Sequence, residues 1–267
     1  MIDPSQDLLF NHVRDLPFFR GLLRAMESRF YQGILMKAPT LDVGCGDGHF
    51  CQATFSGKIS AGIDPTLCAL KEAKERGAYD ATIQADGSAI PYPENFFGSA
   101  YSNSVLEHTE DPTAVLLEIA RVLEPGGLFV FCVPNNRFLP ALAGANYLEL
   151  LGLRSVAEKY RLFFNSASRH RTCEGIESWQ VRLNQAGFQI EEAWDFISPR
   201  TFQVIEIGHY LGLPSLFLHM GLGKWNLVRA KWNYQLLLPW LRDYFNEPAA
   251  QPNGVYSFFI TRRERKA

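Results

Sequence analysis

Long apolar runs are missing from this 267-residue sequence. A membrane-spanning helix needs ~18 or more uninterrupted apolar residues. The nearest stretch, Phe202–Leu222, is broken by Glu206, His209 and Pro214. The N-terminus carries Asp3 and Asp7 in place of the cationic segment that opens a secretory signal. Positive charge is not in excess either. At a formal net charge of −2 the chain has no basic footprint for a phosphate backbone, so no nucleic-acid partner is expected. The cysteines, Cys45, Cys51, Cys68, Cys132 and Cys173, are odd in number and show no C-x-x-C spacing. That argues against a disulfide framework, fits reduced thiols in a cytoplasm, and gives no reason to expect a structural metal. Internal repeats and low-complexity tracts are absent.

What is present is the balance of a folded protein, 47% hydrophobic against 20% charged residues, with length for one substantial core. From Asp7 to Leu35 the apolar spacing predicts one or two helices, interrupted at Pro17 and Gly21. A strand–helix alternation follows. Strands are predicted at Pro39–Val43, Lys58–Ile63, Ala81–Gln84, Phe97–Ser102 and Gly127–Val133, with helices at His49–Phe55, Cys68–Arg76 and Ala114–Leu123. A further helix at Ile176–Ala186 stops at Gly187, before strands at Phe188–Trp194 and Val255–Arg262. The expected fold is α/β: a Rossmann-like, seven-stranded, mostly parallel sheet with helices on both faces.

Two segments interrupt this rhythm. The expected organisation is a core with N-terminal helices over 1–134, a first insertion over 135–175, and a core helix with the sixth strand over 176–196. A second, aromatic-rich helical insertion spans 197–253, and the last strand with a basic tail spans 254–267. Both insertions leave the carboxyl ends of strands, where open parallel sheets bind ligands. Together they are expected to form a helical lid.

Leu41-Asp42-Val43-Gly44-Cys45-Gly46-Asp47-Gly48 runs a strand into a G-x-G-x-G turn. Its glycines remove Cβ atoms where backbone must turn sharply and approach a ligand, and the following helix start offers N–H groups. The dinucleotide fingerprint places its third glycine one residue later. Asp64, ending the second strand, is placed to accept two ribose hydroxyls. Asp86 beside Gly87, ending the third, is placed to accept the amino hydrogens of an adenine. Either acid alone is a weak signal; three strand ends in the correct order are a strong one.

These residues resemble the class I S-adenosylmethionine (SAM)-dependent methyltransferases, a large family that includes ubiquinone and menaquinone biosynthesis enzymes. Four segments carry the resemblance: Leu41–Phe50, Ile63–Pro65, Asp86 through Pro91-Tyr92-Pro93, and Val105-Leu106-Glu107-His108 with Arg121–Gly127. It covers Pro39–Asn135 well and His170–Trp194 weakly. It implies SAM as cofactor, with Asp42, Gly44, Cys45, Gly46 and Gly48 at its methionine part. Asp64 and Pro65 would meet the ribose, Asp86 and Gly87 the adenine, and Asn103 and Ser104 the methionine end. Two positions depart from the pattern: Gly98 stands where an acid often opens the fourth strand, and Glu124 where a lysine is common.

Methyl transfer from a sulfonium asks mainly for alignment, and a general base only where the acceptor must lose a proton. His108 and His170 are the candidates for that base; the bland readings, a bracing His108 and a solvated basic turn at His170, are the favoured ones. The Arg169-His170-Arg171 trio also suits an anionic group on the substrate. Ten aromatics from Phe196 to Phe245 supply a subdomain core and, in part, a wall suited to a hydrophobic or aromatic small molecule. The acceptor atom, O, C or N, is left open. Peripheral membrane contact through Leu211–Leu222 and the tryptophans, near Lys224, Arg229 and Lys231, is an alternative that suits a lipid or quinone. Two rivals stand beside these: a nicotinamide dehydrogenase, disfavoured by the glycine spacing and Asp86, and a SAM-binding or partner-binding protein without turnover.

Overall fold

The structure, a computed structural model, describes residues 6–212, 221 and 230–265. Two helices come first, α1 (Leu8–Val13) and α2 (Phe18–Arg29). Asp7 caps α1 by accepting from the Phe10 amide at 3.2 Å. The alternating unit follows as β1 (Thr40–Val43), α3 (His49–Thr54), β2 (Ile59–Asp64), α4 (Leu67–Arg76), β3 (Tyr79–Gln84) and β4 (Phe97–Asn103). A 3-10 turn at Leu106–His108 leads to α5 (Pro112–Val122) and β5 (Leu123–Pro134). α5 opens two residues earlier than apolar periodicity predicts, because Asp111 accepts from the Thr113 and Ala114 amides and Pro112 occupies the first turn.

The first insertion folds as α6 (Ala143–Leu150) and α7 (Arg154–Ser168), before α8 (Ile176–Gln185) and β6 (Phe188–Phe196). The second supplies α9 (Pro199–Leu211), a 3-10 turn at Lys231–Tyr234 and α10 (Leu237–Phe245), before β7 (Tyr256–Arg263). Pro214, Phe217, Lys224, Trp225 and Arg229, and nearly all of the Leu211–Leu222 stretch, lie outside the described residues. No helix among the described residues is long and apolar enough to cross a membrane.

The seven strands form one sheet in the order β3-β2-β1-β4-β5-β7-β6, and only β7 runs against its neighbours. Each face of the sheet has its own apolar layer. Leu41, Val43, Ile63, Phe129 and Phe131 point toward α5 and α8, where Trp179 is fully buried and Phe259 stacks on Phe131 at 4.5 Å. Val130, Cys132, Tyr101 and Phe258 face α2 and the helices of the second insertion. Burying each large side chain of this kind contributes about 1.5–3 kcal/mol.

The two insertions are tied together by one acid. Glu206 of α9 is buried and accepts from the Ala143 and Gly144 amides, at 2.7 and 2.9 Å, and from the Tyr160 hydroxyl at 2.7 Å. A carboxylate at the start of α6 also meets the positive end of that helix. In the sequence Glu206 reads only as an interruption of an apolar run. The two departures at Gly98 and Glu124 belong together as well. The Lys37 side chain lies so close over Gly98 that a Cβ there would meet it at 2.8 Å, and its ammonium pairs with Glu124.

Candidate functional site

The cleft at the carboxyl ends of the strands begins with the turn after β1. Gly44 has φ +80°, and a Cβ there would lie 2.4 Å from Val105 Cγ1, so any side chain is excluded. Gly46, at φ +52°, faces open space, which leaves its backbone approachable. Gly48, at φ +75°, begins α3 against Ala73 and Tyr79. Asp47 takes the His49 amide at 3.0 Å, and α3 is only six residues long. The turn therefore presents itself through Gly44–Gly46 more than through a helix end.

Asp64 bridges this turn to the next strand end. Its two oxygens accept from the Gly46 amide at 3.0 Å and the Thr66 amide at 2.8 Å. A carboxylate oxygen accepts more than one donor, so Asp64 retains acceptor capacity at the cleft. Asp86 takes both the amide and the hydroxyl of Ser88 on Oδ1, bonds that hold its carboxyl below the usual range, and Oδ2 takes none among the described residues. With Gly44, Pro65, Gly87, Val105 and His108 these acids line a cavity of about 700 Å3. The open face of Gly46, two acids with spare lone pairs, and this volume fit a nucleoside carrying an amino-acid tail.

Not every residue expected at the cofactor faces the cleft. Asp42 is buried and accepts the Tyr79 and Tyr101 hydroxyls at 2.6 and 2.7 Å. Burial pushes its carboxyl up to about 7 against the pull of those hydroxyls. Cys45 is buried behind the turn, and burial raises its thiol. Asn103 and Ser104 turn their side chains to buried Glu27 of α2, at 2.6 and 2.8 Å. Ser104 holds φ +53°, an uncommon backbone state for a residue with a side chain.

A second cavity, about 670 Å3, adjoins the first and shares His108 with it. Its wall comes from α2 (Phe19, Arg20, Leu23, Arg24), from Phe138, from Phe164 of α7, from the loop at Arg169–His170, and from Phe202 and Ile205 of α9. Residues from 135–175 and from 197–253 line it, and so do residues of α2, to which the sequence gives no such role. Arg20, Arg24 and Glu27 recur at helical spacing along α2. In the structure Arg24 pairs with Glu27 at 2.7 Å, and Glu27 is wholly buried.

His108 and His170 meet at this cavity, ring centroids 5.4 Å apart. His108 Nδ1 lies 3.0 Å from the Arg169 carbonyl. Burial lowers the proton affinity of both imidazoles, that of His170 to about 4. Beside them Glu107, which carried part of the family pattern but no expected role, is buried. The amides of Arg171 and Thr172 donate to its backbone carbonyl at 2.8 and 3.2 Å, which fastens the 169–173 loop over the 3-10 turn.

Residues 41–131 match a family described as a methyltransferase domain. Over 172 residues the chain is 34% identical to the malonyl-acyl-carrier-protein O-methyltransferase of Yersinia pestis, covering 56% of this chain and 64% of that protein. It is 33% identical over 148 residues to the ubiquinone biosynthesis O-methyltransferase of Bradyrhizobium sp. (strain ORS 278), covering 53% and 57%. The chain spans about half the length of the curated relatives it matches. A solved SAM-dependent methyltransferase of Thermotoga maritima, described as a possible histamine N-methyltransferase, is similar in fold. Its TM-score is 0.55 at 13% identity, over 90% of this chain and 89% of that one.

Proposed function

We propose that this chain, which residues 41–131 place among the class I SAM-dependent methyltransferases, moves a methyl group from SAM to a small molecule held in the aromatic cavity. One observation carries the reading: two cavities of similar size adjoin at His108. One is lined by the acids of a nucleoside site and the other by apolar rings together with Arg20, Arg24, Glu107 and His170. SAM, when bound, supplies a methyl on a positively charged sulfur. Asp64 would hold its ribose, Asp86 its adenine, and the turn at Gly44–Gly46 its methionine part.

The chain's own contribution is alignment. Ser104, held in its unusual backbone state by Glu27 and by the Cys132 carbonyl, fixes where the two cavities meet. Orientation of this kind contributes about 7–11 kcal/mol in well-aligned systems. Burial holds both imidazoles below their ordinary range, that of His170 at about 4. A base works best with a pKa near the working pH, so His170 is poorly suited to accept a proton. The lining of Phe138, Phe164, Phe202 and Ile205 favours a hydrophobic or aromatic acceptor.

Calorimetric titration with S-adenosylhomocysteine (SAH), followed by a methyl-transfer screen over aromatic, acyl and amine metabolites, tests this reading. SAH should bind with a single stoichiometry, and NAD should not. Failure of SAH to bind removes the proposal; SAH binding without transfer to any acceptor leaves the rival of a SAM-binding protein without turnover. A second reading, an enzyme acting at a membrane surface on a lipid-like acceptor, is favoured by the exposed Tyr147, Leu150, Leu151 and Phe163 of the first insertion. Absence of co-flotation with liposomes removes it.

A further inference from the structure

Three groups from two stretches of chain converge at the wall of the second cavity. One carboxylate oxygen of Glu107 and one ring nitrogen each of His108 and His170 all lie within 4.8 Å of one another. Glu107 is 1% exposed, and its Oε2 has no hydrogen-bond partner among the described residues. Its Oε1 stands 3.8 Å from His108 Nε2. The contact of His108 Nδ1 with the Arg169 carbonyl places the ring proton on Nδ1, because a carbonyl only accepts. Nε2 therefore presents a lone pair toward a carboxylate. His170 Nδ1 lies 3.8 Å from Cys173 Sγ. Arg24 of α2, whose charge also acts on Glu107, pairs with Glu27 at 2.7 Å.

Lone pairs facing one another around a buried carboxyl oxygen are costly unless a shared proton or a positive centre lies between them. We propose that Glu107, His108 and His170 bind one divalent first-row cation of the zinc type. Two imidazoles and one carboxylate form a ligand set that suits such ions and leaves a coordination position open. The Arg169 carbonyl behind His108 is the outer partner that metal-bound histidines usually have. Metal–ligand distances of ~2.0–2.2 Å require the three groups to close in on the ion when it binds. Because all three residues line the cavity, the open position faces the acceptor. An oxygen of the acceptor coordinates there, which orients it and favours its deprotonated form. This last step rests on the proposed function, whereas the cation site itself does not.

The test uses the full chain, stripped with a chelating resin and titrated with ZnCl2 against a competing chelator. A single equivalent is expected in the wild type. Glu107→Gln and His170→Ala should each weaken uptake by roughly tenfold or more, while Cys173→Ser retains it. Wild-type protein that takes up no zinc, variants that bind as the wild type does, or loss of uptake in Cys173→Ser each overturn the ligand set. Replacement by Co2+ gives a second readout, a visible band of a four- or five-coordinate ion that Glu107→Gln abolishes; an unaltered band overturns the assignment. SAH titration of the same samples separates the two proposals. Zinc uptake without SAH binding removes the methyltransferase reading alone, and SAH binding without zinc uptake removes the cation site alone.

Discussion

The two cavities that meet at His108 are built in opposite ways. The donor-side cleft is assembled from strand ends in chain order, by backbone conformation and by acids that cap their own turns: Gly44 and Gly46, Asp64 with Thr66, Asp86 with Ser88. The acceptor side is assembled from side chains on α2, the 3-10 turn, α7, the 169–173 loop and α9. A site made of backbone tolerates almost no substitution where the chain turns and is indifferent to distant changes. A site made of side chains from five elements is easily altered one residue at a time.

The sharpest way to break this contrast is Gly44→Ala. A Cβ at 2.4 Å from Val105, on a backbone at φ +80°, adds overpacking to strain, together about 2–6 kcal/mol. Urea unfolding should show this loss alongside abolished SAH binding, and near-wild-type values for both would refute the backbone account. Next in size is a pH effect behind the same turn. The folded Asp42 carboxyl is pushed up to about 7 from its ordinary 3.8, so between those values the folded state binds more protons than the unfolded one. Stability therefore falls as pH rises through about 4 to 7 and levels off above, by at most about 4 kcal/mol. Asp42→Asn should flatten that slope in urea midpoints measured across the range. A variant with the wild-type slope would assign the effect elsewhere.

Asp64→Asn should weaken SAH binding by about 1.5–3 kcal/mol, roughly ten- to a hundredfold in Kd, with zinc uptake untouched. Equal damage to both would mean that the cavities are not independent. The smallest change belongs to the acceptor side. Ile205→Val removes one methylene from a buried position on the cavity wall and should cost about 0.5–1.5 kcal/mol of stability. SAH affinity should stay constant while the ranking of acceptors in a transfer screen shifts toward bulkier ones. An unchanged ranking would place Ile205 outside acceptor recognition.

The same contrast explains what the sequence made legible. The strands and helices of the core fall within a few residues of their predicted positions, because apolar period and glycine stops are local signals. The order of the sheet and the reversal of β7 are not local, and Val255–Arg262 reads the same in either direction. Gly44, Asp64 and Asp86 stood out because each occupies a strand end within a short motif. Glu27 and Glu206 did not, since an acid on an amphipathic helix reads as solvated until tertiary structure buries it. Glu107 was visible only as part of a family pattern. Its proximity to His170, across 62 residues of chain, depends on how the 169–173 loop is stitched to the 3-10 turn.

The placement of β7 between β5 and β6 also bears on how the protein is made. When β6 leaves the ribosome, the strand that joins it to the sheet has not yet been synthesised. At roughly 5–20 residues per second, the segment 197–255 keeps β6 and the outer edge of β5 waiting for several seconds. During that interval two unpaired strand edges, one bearing Phe129 and Phe131, are open to other nascent chains. Yield in a cell is therefore expected to depend on the speed of translation through that segment and on chaperone supply, even where the finished fold is unaltered.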